Sequence, residues 1–314
     1  MLRIEDLRIN YKTKLGMVRA VDGVDLYLDR GEFLGLAGES GCGKSTVAMS
    51  ILRILPDNAE IANGKILLNG NDLLKMSEKE FRNIRWNKVS MIFQSSMNAL
   101  NPVMRINDQI AEALIIHKGL TKSDASKKVT ELLSMVNVEP SKAVAYPHEL
   151  SGGMKQRVVI AMALSCNPDL LLADEPTTAL DTMTQIQILE LLKNLKRELN
   201  LTMIIISHDL AIMAELCTKI AIMYAGKIVE ISDLKPIYGS PLHPYTRKLI
   251  NSVPSLRGEK KKLESIPGSL PDPMNLPKGC RFYPRCDLAM DICQNEEPNL
   301  CEVRKDHYVA CYAI

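Results

Sequence analysis

The sequence lacks the features that mark a membrane-spanning or nucleic-acid-binding protein. None of its apolar runs approaches the ~20 residues of a membrane-spanning helix. The N-terminus has no hydrophobic region of the signal-peptide kind, so we expect the chain to stay in the cytoplasm, where disulfides are rare. The 39 basic residues nearly balance the 37 acidic ones, and the net charge of +2 gives no electrostatic footprint for nucleic acid. The 314 residues suffice for one large domain or two smaller ones.

A glycine-rich loop between a predicted strand and a predicted helix is the most informative stretch. Such a loop turns backbone N–H groups toward phosphate oxygens, and the helix after it points its positive end at the same anion. Lys44 can reach the β- and γ-phosphates, and the Ser45 hydroxyl can ligate the accompanying Mg²⁺. The predicted phosphate-binding residues are Gly38, Glu39, Ser40, Gly41, Cys42, Gly43, Lys44, Ser45 and Thr46.

Three further apolar runs, each predicted to be a buried strand, end in polar residues: Gln94, Asp174 with Glu175, and His208. Asp174 can hold Mg²⁺ through water, and Glu175 can polarise an attacking water. A lone histidine at a strand end is more often structural. Because ligands of open α/β sheets bind at the edge formed by the carboxyl ends of the strands, we favour a γ-phosphate contact for His208. With the phosphate loop, these side chains predict a nucleotide hydrolysis site.

The pattern between these strands turns helical and predicts a helical subdomain, about residues 95–165, inserted in an α/β core. Ser151 is expected to cap a helix there, with Gly152 and Gly153 leaving the amides open, which makes a second helix start suited to an anion. Residues 1–37 alternate apolar and polar positions and predict an antiparallel lead-in sheet. Tyr11, placed in the loop after the first strand, is either an adenine-stacking aromatic or a half-buried strand tyrosine.

Taken in order, these motifs resemble those of an ABC transporter ATPase over about residues 1–235. Gln94 resembles the family's Q-loop, residues 179–181 its D-loop and His208 its switch histidine. The residues that resemble the family signature are Ser151, Gly152, Gly153 and Gln156. The resemblance implies an α/β fold of the P-loop NTPase ABC-cassette kind: a RecA-like core with an antiparallel β lead-in and an inserted helical subdomain. A small irregular C-terminal metal-binding extension is expected to follow the cassette.

The resemblance also implies how the site works. Lys44, Gln94, Glu175 and His208 are the implied catalytic residues, and Ser45, Gln94 and Asp174 the implied Mg²⁺ ligands. In this family two cassettes pair head to tail, and each ATP is held between one phosphate loop and the signature of the other subunit. The signature of this chain would therefore act on the ATP of its partner.

Residues 240–246 and 279–286 resemble the C-terminal extension of dipeptide/oligopeptide importers, which also occurs in relatives that import nickel, glutathione and other small solutes. The boundary implied is 1–235 for the cassette and 236–314 for the extension. Met154 in the signature resembles the D-type subunit, whose usual partner is an F-type ATPase subunit. The resemblance implies an ATP-hydrolysing subunit, peripheral on the cytoplasmic face of the membrane. It would serve two permease subunits and, indirectly, an extracytoplasmic solute-binding protein. The imported solute is not revealed.

Two other classes compete with an importer subunit. A soluble ABC ATPase acting on ribosomes or DNA usually carries two cassettes or long coiled coils and a basic surface, none of which this sequence shows. A metal sensor whose cassette only switches would not need Glu175 and His208, whose presence argues that hydrolysis is intact.

Five of the eight cysteines lie in the last 35 residues, after a proline-rich stretch and a predicted solvated linker at 257–262. Zinc sites favour close C-x₂₋₄-C pairs, and no such pair exists here, whereas iron–sulfur clusters accept varied spacings of four thiolates. Spacing alone leaves a cluster only slightly ahead of zinc. The family resemblance favours a [4Fe–4S] cluster, since some importers of this group carry one in the extension. The cysteines that match its ligands are Cys280, Cys286, Cys293 and Cys311, and Cys301 is not a ligand in the pattern.

Overall fold

The computed structural model describes residues 1–94, 99–252 and 266–314. The predicted linker at 257–262 and residues 95–98, at the start of the predicted helical subdomain, lie outside these residues. The strands are β1 Leu2–Thr13, β2 Gly16–Leu28, β3 Phe33–Ala37, β4 Ala59–Leu68, β5 Asn71–Asp72, β6 Val89–Ile92, β7 Leu170–Asp174, β8 Thr202–Ile206, β9 Lys219–Tyr224, β10 Lys227–Asp233, β11 Cys301–Arg304 and β12 His307–Val309. The helices are α1 Lys44–Ile51, α2 Glu78–Arg82, α3 Ile106–Lys118, α4 Lys122–Met135, α5 Gly152–Leu164, α6 Thr182–Leu199, α7 Leu210–Leu216, α8 Leu234–Gly239, α9 Pro244–Asn251 and α10 Asp291–Asn295.

The chain divides into two compact units, one of residues 1–74 with 206–314 and the other of residues 75–205. This grouping follows packing rather than chain order. The boundary at residue 235 and the limits of the helical subdomain stay predictions.

The first unit contains the expected antiparallel lead-in sheet, with strand order β2-β1-β4-β5. Leu2 of β1 pairs with Leu28 of β2 and with Leu68 of β4. Leu2 and Ile4 are buried as the alternation predicts, and a register shift between Ile4 and Leu7 moves the buried phase to Leu7 and Ile9. β4 runs from Ala59 to Leu68 and pairs with β1 along most of its length.

The placement of Tyr11 was wrong. The tyrosine lies inside β1, where it pairs with Val18 of β2 and Ala59 of β4, and not in a loop after the strand. The two strands flanking β1 leave its side chain half-buried. A hairpin turn follows only at Thr13, because the β1–β2 pairing continues to Gly16.

The second sheet of this unit has the order β11-β12-β10-β9-β3. β3 and β9 run parallel, and β3 is the buried apolar run that precedes the phosphate loop. β12 pairs antiparallel with β10, Glu230 opposite Val309 and Ile231 opposite Tyr308. The prolines predict an irregular C-terminal extension, and this prediction was wrong in part, because β11 and β12 are regular strands. Its last strands continue the sheet, because backbone hydrogen bonds along β10 satisfy them.

The second unit contains parallel strands β6 and β7, Val89 opposite Leu170, and β8 lies beside β7 in the strand order. All five residues of β7 are buried. Helices α3, α4 and α5 pack through apolar faces that include Ile110, Val129 and Leu133. Among the described residues, no helix combines the length and the apolar character that crossing a membrane requires.

Candidate nucleotide site and cysteine pocket

The phosphate loop lies between β3 and α1, as the sequence predicts. Lys44 opens α1 and is only 7% exposed. Its ammonium group donates hydrogen bonds to the carbonyl oxygens of Gly38 and Glu39, both at 2.8 Å, and lies 3.5 Å from the Cys42 sulfur. The loop thus folds around the lysine. No side chain of the described residues caps α1, so the N–H groups of its first turn are left for an anion.

Two glycines of this loop are required by backbone packing. Gly38 has φ +147°, and a Cβ there would lie 2.1 Å from the carbonyl oxygen of Met223. Gly43 has φ +107°, and its Cβ would lie 2.3 Å from the carbonyl oxygen of Ala20. A side chain at either position would push the loop away from β9 or β2, in addition to the strain of a positive φ.

Glu39 is held on three sides. Its carbonyl oxygen accepts from Lys44, and its backbone N–H donates to the Tyr245 hydroxyl at 2.9 Å. Its two carboxylate oxygens accept from one guanidinium nitrogen of Arg285, at 3.0 and 3.1 Å. Sequence reasoning missed both Tyr245 and Arg285. Each lies inside a motif quoted for the tail, but no local pattern connects these motifs to the phosphate loop.

Tyr11 and the hydroxyl residues of α1 complete this part of the site. The Tyr11 hydroxyl lies 3.2 Å from the Thr46 Oγ1, so the strand tyrosine is tied to the first turn of the helix. Ser45 is half-buried in the same turn. Of the polar strand ends, His208 belongs to this unit and is exposed, next to Asp209, the N-cap residue of α7.

The acidic strand end lies in the second unit. Asp174 closes β7 at 5% exposure, and Glu175 follows with φ +47°. This left-handed conformation costs a residue with a Cβ about 1–2 kcal/mol, the kind of local strain that collects at functional positions. The Glu175 carboxylate accepts from the Thr178 hydroxyl at 2.8 Å and from the Gln94 amide at 3.3 Å. The structure thus brings Gln94 and Glu175 together. It adds Thr178, for which only the three-residue spacing from Glu175 was a signal.

The signature helix is joined to the same region. Ser151 caps α5 as predicted, its hydroxyl accepting from the N–H of Met154 at 3.3 Å. Gln156 is 3% exposed and donates to the carbonyl oxygen of Pro176 at 2.6 Å, one residue beyond Glu175. This hydrogen bond fixes the start of α5 to the segment that carries the acidic side chain.

The D-loop residue Asp181 caps α6. Its carboxylate accepts from the backbone N–H of Thr184 at 3.0 Å and from the Thr184 hydroxyl at 2.6 Å, and these hydrogen bonds lower the pKa of Asp181. Thr184 also meets the signature, because a Cβ on Gly153 would lie 2.6 Å from the Thr184 Cγ2. Signature helix, D-loop and acidic strand end are therefore connected through short contacts.

The tail cysteines gather around a second feature, a cavity of about 10 Å³ in the first unit. Its lining includes four thiols, those of Cys280, Cys286, Cys293 and Cys311. Burial, with a smaller contribution from neighbouring thiols, raises the pKa of Cys280 to about 11 and also raises that of Cys286 and Cys311. Cys301 lies apart on β11 and is exposed. Within residues 1–94, 99–252 and 266–314, no three His, Cys, Asp or Glu side chains are arranged to hold a single metal ion.

Aromatic packing attaches this pocket to the rest of the unit. Phe282 is 1% exposed and contacts Tyr224 of β9 edge-on, with ring centroids 5.2 Å apart. Tyr245 packs on the same two rings, 4.7 Å from Tyr224 and 5.4 Å from Phe282. The extension therefore shares the core of the unit, which supplies packing energy that a separate tail of this composition would lack.

A strand, a glycine-rich loop and a helix that opens with a buried lysine define a P-loop NTPase. The ABC transporter family profile matches residues 21–178, and the profile described as the oligopeptide/dipeptide transporter C-terminal region matches residues 229–293. The solved dimeric structure of MJ0796, a bacterial ABC transporter cassette, superposes with a TM-score of 0.67 at 30% identity, covering 74% of this chain and 99% of that one. A post-hydrolysis structure of the same cassette with ADP and Pi matches equally well, with a TM-score of 0.67.

Several curated relatives match nearly the whole chain. The oligopeptide transport ATP-binding protein AppD of Bacillus subtilis strain 168 is 45% identical over 315 residues, 99% of this chain and 96% of AppD. OppD of Salmonella typhimurium, also an oligopeptide transport ATP-binding protein, is 45% identical over 95% of this chain and 89% of its own length. The dipeptide transport ATP-binding protein DppD of Bacillus subtilis is 44% identical over 99% of this chain and 94% of its own. The chain belongs to the ABC transporter family and is one of its ATPases.

Proposed function

We propose that this chain is the energy-coupling ATPase subunit of an importer for dipeptides or oligopeptides. The observation that carries the proposal is the pairing of an ABC cassette with the oligopeptide/dipeptide-type C-terminal region in one chain. The near-full-length similarity to peptide transport ATP-binding proteins supports the same substrate class.

In this proposal the phosphate loop binds MgATP. The Lys44 ammonium group exchanges part of its contact with the loop carbonyls for the β- and γ-phosphates, a charge-assisted interaction. Ser45, Gln94 and Asp174 would hold the Mg²⁺, which when bound would neutralise charge that develops on the phosphates. The residue types fit, since the three side chains offer a hydroxyl, an amide and a carboxylate oxygen.

Hydrolysis in this proposal depends on Glu175. The carboxylate orients the attacking water and accepts its proton while the bond to the γ-phosphorus forms and ADP leaves. Thr178 and Gln94 hold the carboxylate in place, which supports the assignment because a base must be fixed to aim a water molecule. His208 would contact the γ-phosphate, and Tyr11 would stack on the adenine.

We further propose that the site is completed by a second ATPase subunit of the F type. The signature residues Ser151, Gly152, Gly153 and Gln156 would then contact the partner's ATP. Two permease subunits would hold the pair peripherally at the cytoplasmic face of the membrane, with a solute-binding protein on the far side.

The test is transport by the assembled complex. The chain, co-expressed with an F-type ATPase subunit and two permease subunits, should hydrolyse ATP faster in proteoliposomes when binding protein and peptide are present. The isolated chain should be a weak ATPase. Stimulation by a nickel complex and not by peptides would assign the chain to the small-solute branch. High activity of the isolated subunit, independent of its concentration, would contradict a shared site.

We propose a [4Fe–4S] cluster as the ligand of the cysteine pocket. Cys280, Cys286, Cys293 and Cys311 line one cavity and form a four-thiol donor set, while Cys301 lies outside it. A cluster binds each thiolate on a different iron, whereas zinc needs all four donors around one ion. Among the described residues, no three His, Cys, Asp or Glu side chains are placed to hold a metal ion, so the support for the cluster is the cavity lining that the four thiols share. The free volume of about 10 Å³ is close to that of one water molecule, so loading requires the surrounding loops to open.

Anaerobic purification tests the metal. The protein should be brown, absorb broadly near 400 nm and contain about four irons per chain, as four-thiolate ligation implies. Cys286→Ser should lose the iron, and Cys301→Ser, the matched control, should keep it. A colourless preparation with stoichiometric zinc would overturn the cluster, and iron retained in Cys311→Ser would show that the fourth ligand is wrong.

A further inference from the structure

The cysteine-bearing segment 280–286 reaches the phosphate loop through one side chain. Arg285, adjacent to Cys286, points a 6% exposed side chain at the Glu39 carboxylate. Its Nη1 donates to both Glu39 oxygens at 3.0 and 3.1 Å and lies 3.2 Å from the Tyr224 hydroxyl. Its Nε donates to the carbonyl oxygen of Pro267 at 2.7 Å. The Pro267 carbonyl oxygen and the Tyr224 hydroxyl thus hold the guanidinium group in addition to its contact with Glu39 of the phosphate loop.

Glu39 passes this constraint to the residue that would bind phosphate. The Glu39 carboxylate accepts hydrogen bonds from Arg285, and the Glu39 carbonyl oxygen accepts one from the Lys44 ammonium group at 2.8 Å. Its N–H is held by Tyr245 of α9. Movement of Glu39 would therefore move an acceptor of the Lys44 ammonium group. The path from Cys286 to Lys44 needs only Arg285 and Glu39.

The contact between Arg285 and Glu39 also has an electrostatic effect on the phosphate loop. A carboxylate in the loop opposes the binding of a polyphosphate, and an unscreened negative charge within several ångströms weakens that binding. The Arg285 guanidinium neutralises this carboxylate with charge-assisted hydrogen bonds in a partly buried setting, where Glu39 has a side-chain exposure of 27%. Loss of the arginine would leave the Glu39 carboxylate without this partner in the loop that is proposed to bind the phosphates.

We propose that Arg285 is a positioning residue for the phosphate loop, and that the cysteine pocket thereby controls the affinity of the subunit for MgATP. Because Arg285 precedes a pocket-lining cysteine, a change in the ligation of Cys286 displaces the guanidinium group from Glu39. By thermodynamic reciprocity, MgATP alters the ligation equilibrium of the pocket by the same factor. The proposal rests on the proposed nucleotide site and on the proposed ligand of the cysteine pocket, and it goes beyond both in giving the extension a role at the phosphate loop.

The test measures the dissociation constant of MgATP on the full chain by equilibrium binding. Arg285→Gln should weaken binding about tenfold, the effect of one partly buried charge-assisted contact. Arg285→Lys keeps the charge but cannot serve Glu39 and Pro267 together, so it should lose only about threefold. Lys248→Ala is the matched control, because Lys248 pairs with Asp287, which follows Cys286 in the chain, and this pair does not include Arg285 or Glu39. Its affinity should equal that of the unaltered protein.

Removing the charge of Glu39 distinguishes a positioning role of Arg285 from a general loss of folding. Glu39→Gln added to Arg285→Gln should recover most of the lost affinity, since it removes the unpaired charge. A variant whose defect is general misfolding would not recover. Unchanged affinity in both Arg285 variants, or no recovery in the double variant, would overturn the positioning role.

The proposed control of MgATP affinity by the cysteine pocket is tested by comparing two cysteine variants. Cys286→Ser should weaken MgATP binding several-fold relative to Cys301→Ser, whose thiol lies outside the pocket. Equal affinities would overturn the control by the pocket. Lys44→Ala is included as a reference: if it binds MgATP normally, the nucleotide site itself is misassigned, which is a different failure from that of Arg285.

Discussion

A buried carboxylate on β10 anchors the C-terminal extension, and its isosteric replacement is a sharp test of the fold. Glu230 has no exposed surface. One of its oxygens accepts from the N–H of Leu242 at 2.8 Å and from the His307 Nε2 at 2.7 Å, and the other accepts from the N–H of His243 at 2.9 Å. The carboxylate therefore joins β10, the start of α9 and β12.

Glu230→Gln keeps the volume but offers only one acceptor oxygen. Its amide nitrogen must face at least one of the three donors, which leaves that buried donor unpaired. Such a loss costs about 1–3 kcal/mol, which corresponds to an increase of about 5- to 150-fold in local opening. The extension should open more readily, while the second unit is unaffected.

Hydrogen exchange followed by mass spectrometry measures this opening directly. Peptides that contain the N–H groups of Leu242 and His243 should exchange faster by the stated factor in Glu230→Gln. Glu302→Gln is the control, since Glu302 is an exposed residue of β11 whose carboxylate accepts from one backbone N–H, that of Asp306, at 2.9 Å. A glutamine oxygen can replace that acceptor. Equal exchange in Glu230→Gln and the unaltered protein, or equal acceleration in both variants, would refute the reasoning.

Further predictions concern nucleotide chemistry. Lys44→Ala should abolish tight MgATP binding, because it removes the ammonium group that pairs with the phosphates; calorimetry checks this. Glu175→Gln should bind MgATP normally but lower the turnover of the assembled transporter by about 10²–10⁴-fold, which is the usual contribution of a general base. Turnover equal to that of the unaltered protein would show that Glu175 is not the base. Gly153→Ala should also lower that turnover, because its Cβ would lie 2.6 Å from the Thr184 Cγ2. Adding Thr184→Ser removes this methyl group and should restore activity, and no restoration would show that another contact is responsible.

The sequence by itself determined the local parts of this protein. The phosphate loop could be read directly, since the positive φ at Gly43 and the helix that begins at Lys44 depend on residues next to each other in the chain. The Ser151 cap and the burial of β7 follow in the same way from nearest neighbours and from apolar runs. Motifs of this kind need no information about distant segments.

Only the tertiary structure decided which distant segments meet. Arg285 and Glu39 are 246 positions apart, and Glu230 and His307 are 77 apart. Nothing in either local pattern specifies the partner, because such contacts form only after the chain has closed a long loop and the sheet has fixed its register. The placement of Tyr11 within β1 and the addition of β12 to β10 depended on that register too. Local sterics and periodicity therefore set the loop and the helix starts, whereas the attachment of the cysteine segment to the phosphate loop is a product of the assembled sheet.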